Sequence, residues 1–258
     1  GINQAQIDNL AGIDSLINAS EITHDEGTVK LIFSLKFQFK AALGRVPEVN
    51  SSEYNYVIDA VKKLMEKNSF GDHVEILVVG NEPMWETPTD TESINRLTSF
   101  TNALIDSADL WRNKVQNWNY DIYAGALNRF EELTGNAIRN AILNLAKTNS
   151  KVSGLDLHIH IKNSSEIQNS LRYLRLEENF TKEVIVTEFS LHRMFQDHKT
   201  DQLGLWGIQN GYSSTMKVYE WINTVLEAAE SGNPIEKDKF LSFFESTTWY
   251  PKTWVADF

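Results

Sequence analysis

The stretch VEILVVGNEP, residues 74–83, decides the expected fold of this chain. Val74–Gly80 is a nearly continuous apolar run of strand length, which is typical of a parallel strand covered on both faces. Pro83 lacks an amide hydrogen and must end the strand, so Glu82 is placed at its carboxyl end. Because parallel α/β sheets carry their chemistry at the carboxyl ends of their strands, this stretch predicts a functional carboxylate there.

Segments of strand and helix character alternate along the rest of the chain, which indicates an α/β fold with a parallel sheet. No repeat or low-complexity linker marks a boundary, so we expect a single domain over residues 1–258. Six strands are predicted, at Thr28–Phe39, Val74–Gly80, Tyr120–Leu127, Gly154–Ile161, Glu183–Phe189 and Phe240–Glu245. Six helices are predicted, at residues 5–19, Ser52–Lys67, Thr89–Leu110, Gly135–Ala146, Ser165–Leu176 and Ser214–Ala229.

Composition and charge limit the classes of partner. Seven Trp, thirteen Phe and eight Tyr among 258 residues can fill a substantial core, which excludes a disordered chain. The net charge of −11 without a basic cluster makes nucleic acid and anionic membranes poor partners. Cysteine is absent, so disulfides, thiolate nucleophiles and cysteine-based zinc sites are excluded. No apolar run approaches the roughly 18 residues that a membrane span needs.

A second glutamate closes another apolar strand. Glu183–Phe189 ends in Thr187-Glu188-Phe189, which places Glu188 at a strand end as Glu82 is placed. Two partly desolvated carboxylates near other charges have the conditions that separate the pKa values of a general acid and a nucleophile. The pair therefore predicts acid–base and nucleophilic chemistry at one rim of the sheet.

These motifs resemble the clan A retaining glycoside hydrolases, whose (β/α)8 barrels end strand four in Asn-Glu and strand seven in a second Glu. Two predicted strands lie between Glu82 and Glu188, as that numbering requires. The resemblance implies cleavage of a glycosidic bond in an oligo- or polysaccharide by retaining double displacement. It implies that Glu82 is the acid/base, that Glu188 is the nucleophile, and that Asn81 bonds the sugar 2-hydroxyl. We expect no cofactor and no metal ion.

Other residues near the predicted strand ends complete the expected carbohydrate site. Along Thr28–Phe39 the odd residues are apolar, so Ser34, Lys36 and Gln38 share the opposite face, where a buried lysine must be paired. Aromatic rings stack on the C–H faces of sugars, and the clan frequently has a Trp after strand eight, where Trp249 lies. The expected substrate-binding residues are Asn81, Trp85, Lys36, Gln38, Asn128, His158, His160 and Trp249.

The strand Gly154–Ile161 leaves two alternatives open. Asp156, His158 and His160 alternate along it and share one face. His158 and His160 could bind zinc or manganese in a metal-dependent barrel hydrolase, with Asp156 as a third ligand. A non-catalytic carbohydrate-binding barrel is the other alternative. Clan members have a tyrosine near this strand end that supports the nucleophile, and here His160 would take that place.

The number of predicted strands is too small for a complete barrel. If Glu82 ends strand four, Thr28–Phe39 is strand three, and only 27 residues precede it. Two βα units need roughly 50 residues. We therefore expect a TIM-type (β/α)8 barrel that lacks its first two strands, an N-terminally incomplete catalytic domain. Self-association or a missing N-terminal segment would cover the open sheet edges, because bare edges promote aggregation.

Overall fold

The computed structural model describes residues 18, 23–24, 27–28, 30–163, 165–232 and 237–250. Its main element is one all-parallel sheet of five strands that curls as a half-barrel, with the strand order β3-β4-β5-β6-β7. These strands are β3 Leu31–Leu35, β4 Val74–Val79, β5 Asp121–Asn128, β6 Gly154–His160 and β7 Glu183–Ser190. A separate antiparallel ladder joins β1, Thr23–His24, to β2, Gly27–Thr28.

The predicted eight-stranded TIM-type barrel, with only its first two strands missing, is wrong. The described residues form an α/β fold with five strands in the main sheet. The sixth predicted strand, Phe240–Glu245, lies within the helix Lys237–Ser246. Phe240, Phe243 and Phe244 are spaced i, i+3 and i+4, which places them on one face of a helix, and all three pack in one aromatic cluster.

The first predicted strand of the sheet is also shorter than expected. β3 ends at Leu35, and Phe39 begins the short helix α1, Phe39–Ala42. Gln38 is the exposed residue that precedes this helix, so it is not a strand residue. Ile32 is half exposed, and β3 lies at one end of the sheet in the part of the chain that the structure describes. The other four predicted strands are confirmed to within a few residues at each end.

Helices connect the strands, as a parallel sheet requires. The helix predicted at residues 5–19 lies outside the described residues, apart from Asn18. No helix in the described part of the chain is long and apolar enough to cross a membrane. Beyond α1, the helices are α2 Ser52–Glu66, α3 Pro83–Glu86, α4 Thr91–Lys114, α5 Ala137–Thr148, α6 Ser165–Arg172, α7 His192–His198, α8 Gly204–Gln209, α9 Val218–Glu230 and α10 Lys237–Ser246; a 3-10 helix covers Lys67–His73 and a π-helix Tyr173–Glu177.

Side-chain caps explain where three of these helices begin. The side chain of Ser51 accepts a hydrogen bond from the Tyr54 amide at the start of α2, and that of Asp90 accepts one from the Ser93 amide at the start of α4. Asn136 caps α5 in the same way. Each cap satisfies an amide that has no partner within its helix, which stabilises a helix by about 1 kcal/mol.

The chain divides into two compact units. The first consists of Gly1–His158 and Leu174–Glu188, and its core lies where β4 and β5 pack against α4 and α5. The second consists of Ile159–Tyr173 and Phe189–Phe258. Its core is an aromatic cluster around the fully buried Trp221.

Two glycines let three strands of the first unit approach one another closely. A Cβ atom on Gly80 would lie 2.3 Å from the carbonyl oxygen of Gly125, and one on Gly125 would lie 2.5 Å from that of Asp156. Both glycines also have positive φ angles, of 113° and 133°. A side chain is therefore excluded at each position by space and by backbone conformation. This close approach brings the ends of β4, β5 and β6 together where the predicted site residues lie.

Candidate functional site

Glu82 is fixed just beyond the end of β4 by backbone bonds to β5. Its amide donates to the carbonyl of Ala126 over 3.0 Å, and the Ala126 amide donates to Gly80 over 2.8 Å. Glu82 itself has a left-handed backbone, with φ 49° and ψ 47°, directly before Pro83 begins α3. This turn stops the strand and leaves the Glu82 side chain 20% exposed at its end.

Two buried residues of the neighbouring strands contact the Glu82 carboxylate. The register of the sheet pairs Asn128 of β5 with His158 of β6. Nδ2 of Asn128 donates to Oε1 of Glu82 over 2.9 Å, and Nδ1 of His158 lies 3.4 Å from the same oxygen. Asn128, predicted as a substrate contact, therefore contacts the predicted acid/base residue.

Glu188 of β7 approaches the same histidine. Its Oε2 lies 3.5 Å from Nδ1 of His158. Because Oε1 of Glu82 and Oε2 of Glu188 lie 3.4 and 3.5 Å from one atom, they are at most 6.9 Å apart (3.4 + 3.5). The Glu188 side chain is 51% exposed, whereas that of His158 is fully buried. The structure thus brings both predicted catalytic glutamates to one imidazole nitrogen.

Lys36 adds a positive charge to this group. Its Nζ lies 2.9 Å from Oε1 of Glu86 and 3.8 Å from Oε2 of Glu82. The hydrogen bond with Glu86 raises the pKa of Lys36, and the charges of Glu82 and Glu188 act in the same direction. Lys36 was predicted to be a buried strand residue paired with the two catalytic glutamates. It instead follows the end of β3 with its side chain 43% exposed, and its closer partner is Glu86, on α3.

The pKa of Glu82 is lowered from its ordinary value. Burial favours the neutral carboxyl and raises the pKa, but the hydrogen bonds from Asn128 and His158 and the charges of His158 and Lys36 outweigh it. Glu82 is therefore a carboxylate at neutral pH in the unliganded site. This state makes it a base that can accept a proton.

Asp156 has a different role from the one expected for a metal ligand. It is completely buried, and Thr187 occupies both of its oxygens: the amide donates to Oδ1 over 3.1 Å and the hydroxyl to Oδ2 over 2.6 Å. Burial raises the pKa of Asp156 to about 6, although the bonds from Thr187 oppose this rise. A buried aspartate within an apolar strand requires such a partner, but the sequence could not show which residue supplies it.

Two further predicted residues flank Glu82 in the first unit. Asn81 directly precedes it, and Trp85 follows on α3 with its amide donating to the Glu82 carbonyl over 2.9 Å. The Trp85 side chain is 45% exposed, so a flat aromatic face is available close to the carboxylates. Gln38 is exposed and precedes α1.

His160 and Trp249 belong to the second unit. Nδ1 of His160 lies 2.7 Å from Oγ of Ser190, which is a hydrogen bond within that unit. The Trp249 ring stacks on His198, with centroids 4.6 Å apart and an interplanar angle of 3°. In place of the predicted eighth strand, Trp249 follows α10 and joins the aromatic cluster of this unit.

The first unit therefore holds two carboxylates that converge on one buried imidazole, with an ammonium group beside them. Such a group can transfer protons and can supply an oxygen nucleophile. In comparisons with family models, curated proteins and solved structures, none of the three gives a match to this chain.

Proposed function

We propose that this chain is a retaining glycoside hydrolase in which Glu82 is the general acid/base and Glu188 the nucleophile. The observation that carries the proposal is the convergence of both carboxylates on Nδ1 of His158, at 3.4 and 3.5 Å. The resulting upper limit of 6.9 Å between the two oxygens accommodates the separation of about 5–5.5 Å that double displacement needs. Inverting enzymes need a wider separation than double displacement, about 6.5–9.5 Å, because a water molecule lies between their carboxylates.

In the first step, Glu188 attacks the anomeric carbon while Glu82 donates a proton to the departing glycosidic oxygen. A covalent ester links the sugar to Glu188. In the second step, Glu82 removes a proton from water, which attacks the anomeric carbon and releases Glu188. The exposed side chain of Glu188 suits an attack on a bound ligand, and the partners of Glu82 hold that carboxylate in place.

The lowered pKa of Glu82 determines how activity should depend on pH. Because the first step needs the protonated form, the competent fraction of free protein falls about tenfold for each pH unit above that pKa. An entering sugar that excludes water from Glu82 would raise its pKa and restore part of this fraction. The proposal therefore requires an acidic optimum, with activity falling as the pH rises.

The surroundings of the carboxylates supply groups suited to a carbohydrate. The exposed Trp85 offers an indole face for the C–H side of a sugar ring, and Lys36 and Asn81 lie beside Glu82 as hydrogen-bond donors to hydroxyl groups. The net charge of −11 disfavours a strongly anionic polysaccharide. A neutral oligo- or polysaccharide is the substrate class that we propose.

A panel of aryl glycosides and polysaccharides tests the proposal, with Glu82→Gln and Glu188→Gln as variants. Glu53→Gln is a matched control, because Glu53 is an exposed glutamate that pairs with Arg45. We expect wild type and Glu53→Gln to hydrolyse the same substrate, and Glu188→Gln to be inactive. Proton NMR of the first-formed product should show the anomeric configuration of the substrate. An inverted product, or activity that survives in Glu188→Gln, would contradict the mechanism.

Metal dependence is tested in the same assay. Incubation with EDTA followed by gel filtration should leave the rate unchanged if the carboxylates act without a metal ion. A loss of activity that zinc or manganese restores would favour the metal-dependent alternative for His158 and His160.

A further inference from the structure

Asp156 forms an unusually complete contact with one residue of the neighbouring strand. Both of its oxygens accept hydrogen bonds from Thr187, one from the amide at 3.1 Å and one from the hydroxyl at 2.6 Å. The carboxylate is completely buried, and burying a charged group is unfavourable unless hydrogen bonds compensate. An amide at this position would keep an acceptor at only one of the two oxygen positions, and it would remove the charge that strengthens both bonds.

This contact lies next to the proposed catalytic pair. Asp156 is two residues before His158 on β6, and Thr187 directly precedes Glu188 on β7. The two strands that the contact joins therefore also carry the imidazole and the carboxylate that lie 3.5 Å apart.

The contact constrains Glu188 through its backbone. The Glu188 side chain is 51% exposed, and the position of its backbone sets which groups the carboxylate can reach. The two bonds to Asp156 hold the amide and the side chain of Thr187, and with them the Cα atom through which the chain continues to Glu188. They are charge-assisted and therefore stronger than neutral bonds. A displacement of about 1 Å at a catalytic group can lower a rate by about 100-fold.

We propose that Asp156 is a positioning residue for Glu188: by accepting both hydrogen bonds from Thr187, it directs the Glu188 carboxylate toward His158. The positional part of this proposal stands on the geometry of β6 and β7. Its catalytic consequence rests on the proposed function.

Two variants and two controls test the positional part without any assay of activity. Asp156→Asn removes one acceptor, and Thr187→Val removes only the hydroxyl donor at nearly the same volume, which keeps the test valid if Asp156→Asn fails to fold. Thr187→Ser retains both donors. Ser153→Ala removes another side-chain hydrogen bond beside the sheet, since Oγ of Ser153, directly before β6, donates to Asp121 at the start of β5 over 2.7 Å.

Glu188→Gln is introduced into wild type and into each variant, and proton–nitrogen NMR spectra are recorded with and without it. The quantity measured is the displacement of the His158 ring signals that Glu188→Gln causes. We expect a clear displacement in wild type, Thr187→Ser and Ser153→Ala. In Asp156→Asn and Thr187→Val it should fall by at least about twofold, because Glu188 no longer lies beside the ring. The same displacement in every background, or none in wild type, would overturn the proposal.

Kinetics then separate positioning from a merely structural role. On a substrate that wild type hydrolyses, Thr187→Val should lower kcat by about 10- to 100-fold with KM nearly unchanged, and Thr187→Ser should restore most of the rate. An unchanged kcat in Thr187→Val would contradict the catalytic consequence. If wild type hydrolyses nothing in the panel, the proposed function fails, and the NMR result alone decides whether Asp156 positions Glu188.

Discussion

The side chain of Asn128 donates a hydrogen bond of 2.9 Å to Oε1 of Glu82. This bond stabilises the ionised carboxylate and is one cause of the lowered pKa of Glu82. Asn128 is itself buried, so water cannot readily replace it as the donor. The amide thus influences when the proposed acid/base residue can carry a proton.

Replacement of Asn128 by Leu should move the pH profile upward. Loss of the donor leaves the neutral form of Glu82 relatively favoured, so its pKa rises and activity persists to higher pH. The measurement is kcat/KM against pH for wild type and Asn128→Leu. Loss of the partner of this partly buried carboxylate should also lower the free energy of unfolding, by about 1 kcal/mol. A profile that stays in place would show that Asn128 does not control this proton.

Lys36→Met should move the profile in the same direction by a smaller amount. The ammonium group lies 3.8 Å from Oε2 of Glu82 and lowers the pKa of Glu82, so its removal raises that pKa. The Lys36 side chain is 43% exposed, and solvent screens the interaction, so we expect a displacement below about one pH unit. Lys40→Met is the control, because Lys40 is an exposed lysine of α1. A downward displacement in Lys36→Met would contradict the assigned electrostatics.

Asp156 should give the protein a stability that decreases as the pH rises. Its pKa is about 6 when folded and 3.8 as an ordinary aspartate, so between these values the folded state binds a proton that the unfolded state has released. This contribution is fully present below pH 3.8 and is lost as the pH rises through about 6. Its full size is about 3 kcal/mol, from about two pKa units. Urea unfolding at several pH values should show this slope in wild type, and Asp156→Asn should lack it.

The sequence predicted the α/β class, four strands of the sheet and the placement of Glu82 and Glu188 at strand ends. These features depend on apolar runs and on Pro83, which are local signals. Two predictions were wrong for the same reason: the strand at Phe240–Glu245 and the full length of the strand at Thr28–Phe39. A short apolar segment can fit both the period of a strand and that of a helix. Phe240, Phe243 and Phe244 fit a helix as well as a strand, and the alternation of Thr28–Phe39 continues into α1.

Contacts between residues far apart in the chain were the part of the site that the sequence could not supply. The pairing of Asp156 with Thr187 and that of Lys36 with Glu86 join residues far apart in the chain. The first pair depends on how β6 and β7 are aligned. The second depends on how the chain turns after β3 and β4, since Lys36 follows β3 and Glu86 lies on α3. A buried aspartate and a lysine in a strand indicated that partners were needed, but only the folded sheet identifies them.

Gly125→Ala should destabilise the first unit. Its Cβ atom would lie 2.5 Å from the Asp156 carbonyl oxygen, and its φ of 133° is strained for any residue with a side chain. We expect the free energy of unfolding in urea to fall by more than about 2 kcal/mol. Gly135→Ala is the matched control, because nothing lies within 4 Å of a Cβ atom there. Its effect should stay within about 0.5 kcal/mol, and equal effects at both positions would refute the close approach of β5 to β6.

Glu82→Ala should distinguish the two proposed carboxylate roles. Without a proton donor, substrates with poor leaving groups should lose nearly all activity, whereas activated aryl glycosides, which need little protonation, should still form the ester with Glu188. Release of that ester then lacks a base, so a burst of phenol should precede a slow steady rate. Azide needs no base, and we expect it to accelerate the steady rate and to yield a glycosyl azide of retained configuration. Equal losses on activated and unactivated substrates, with no azide effect, would assign Glu82 to some role other than acid/base catalysis.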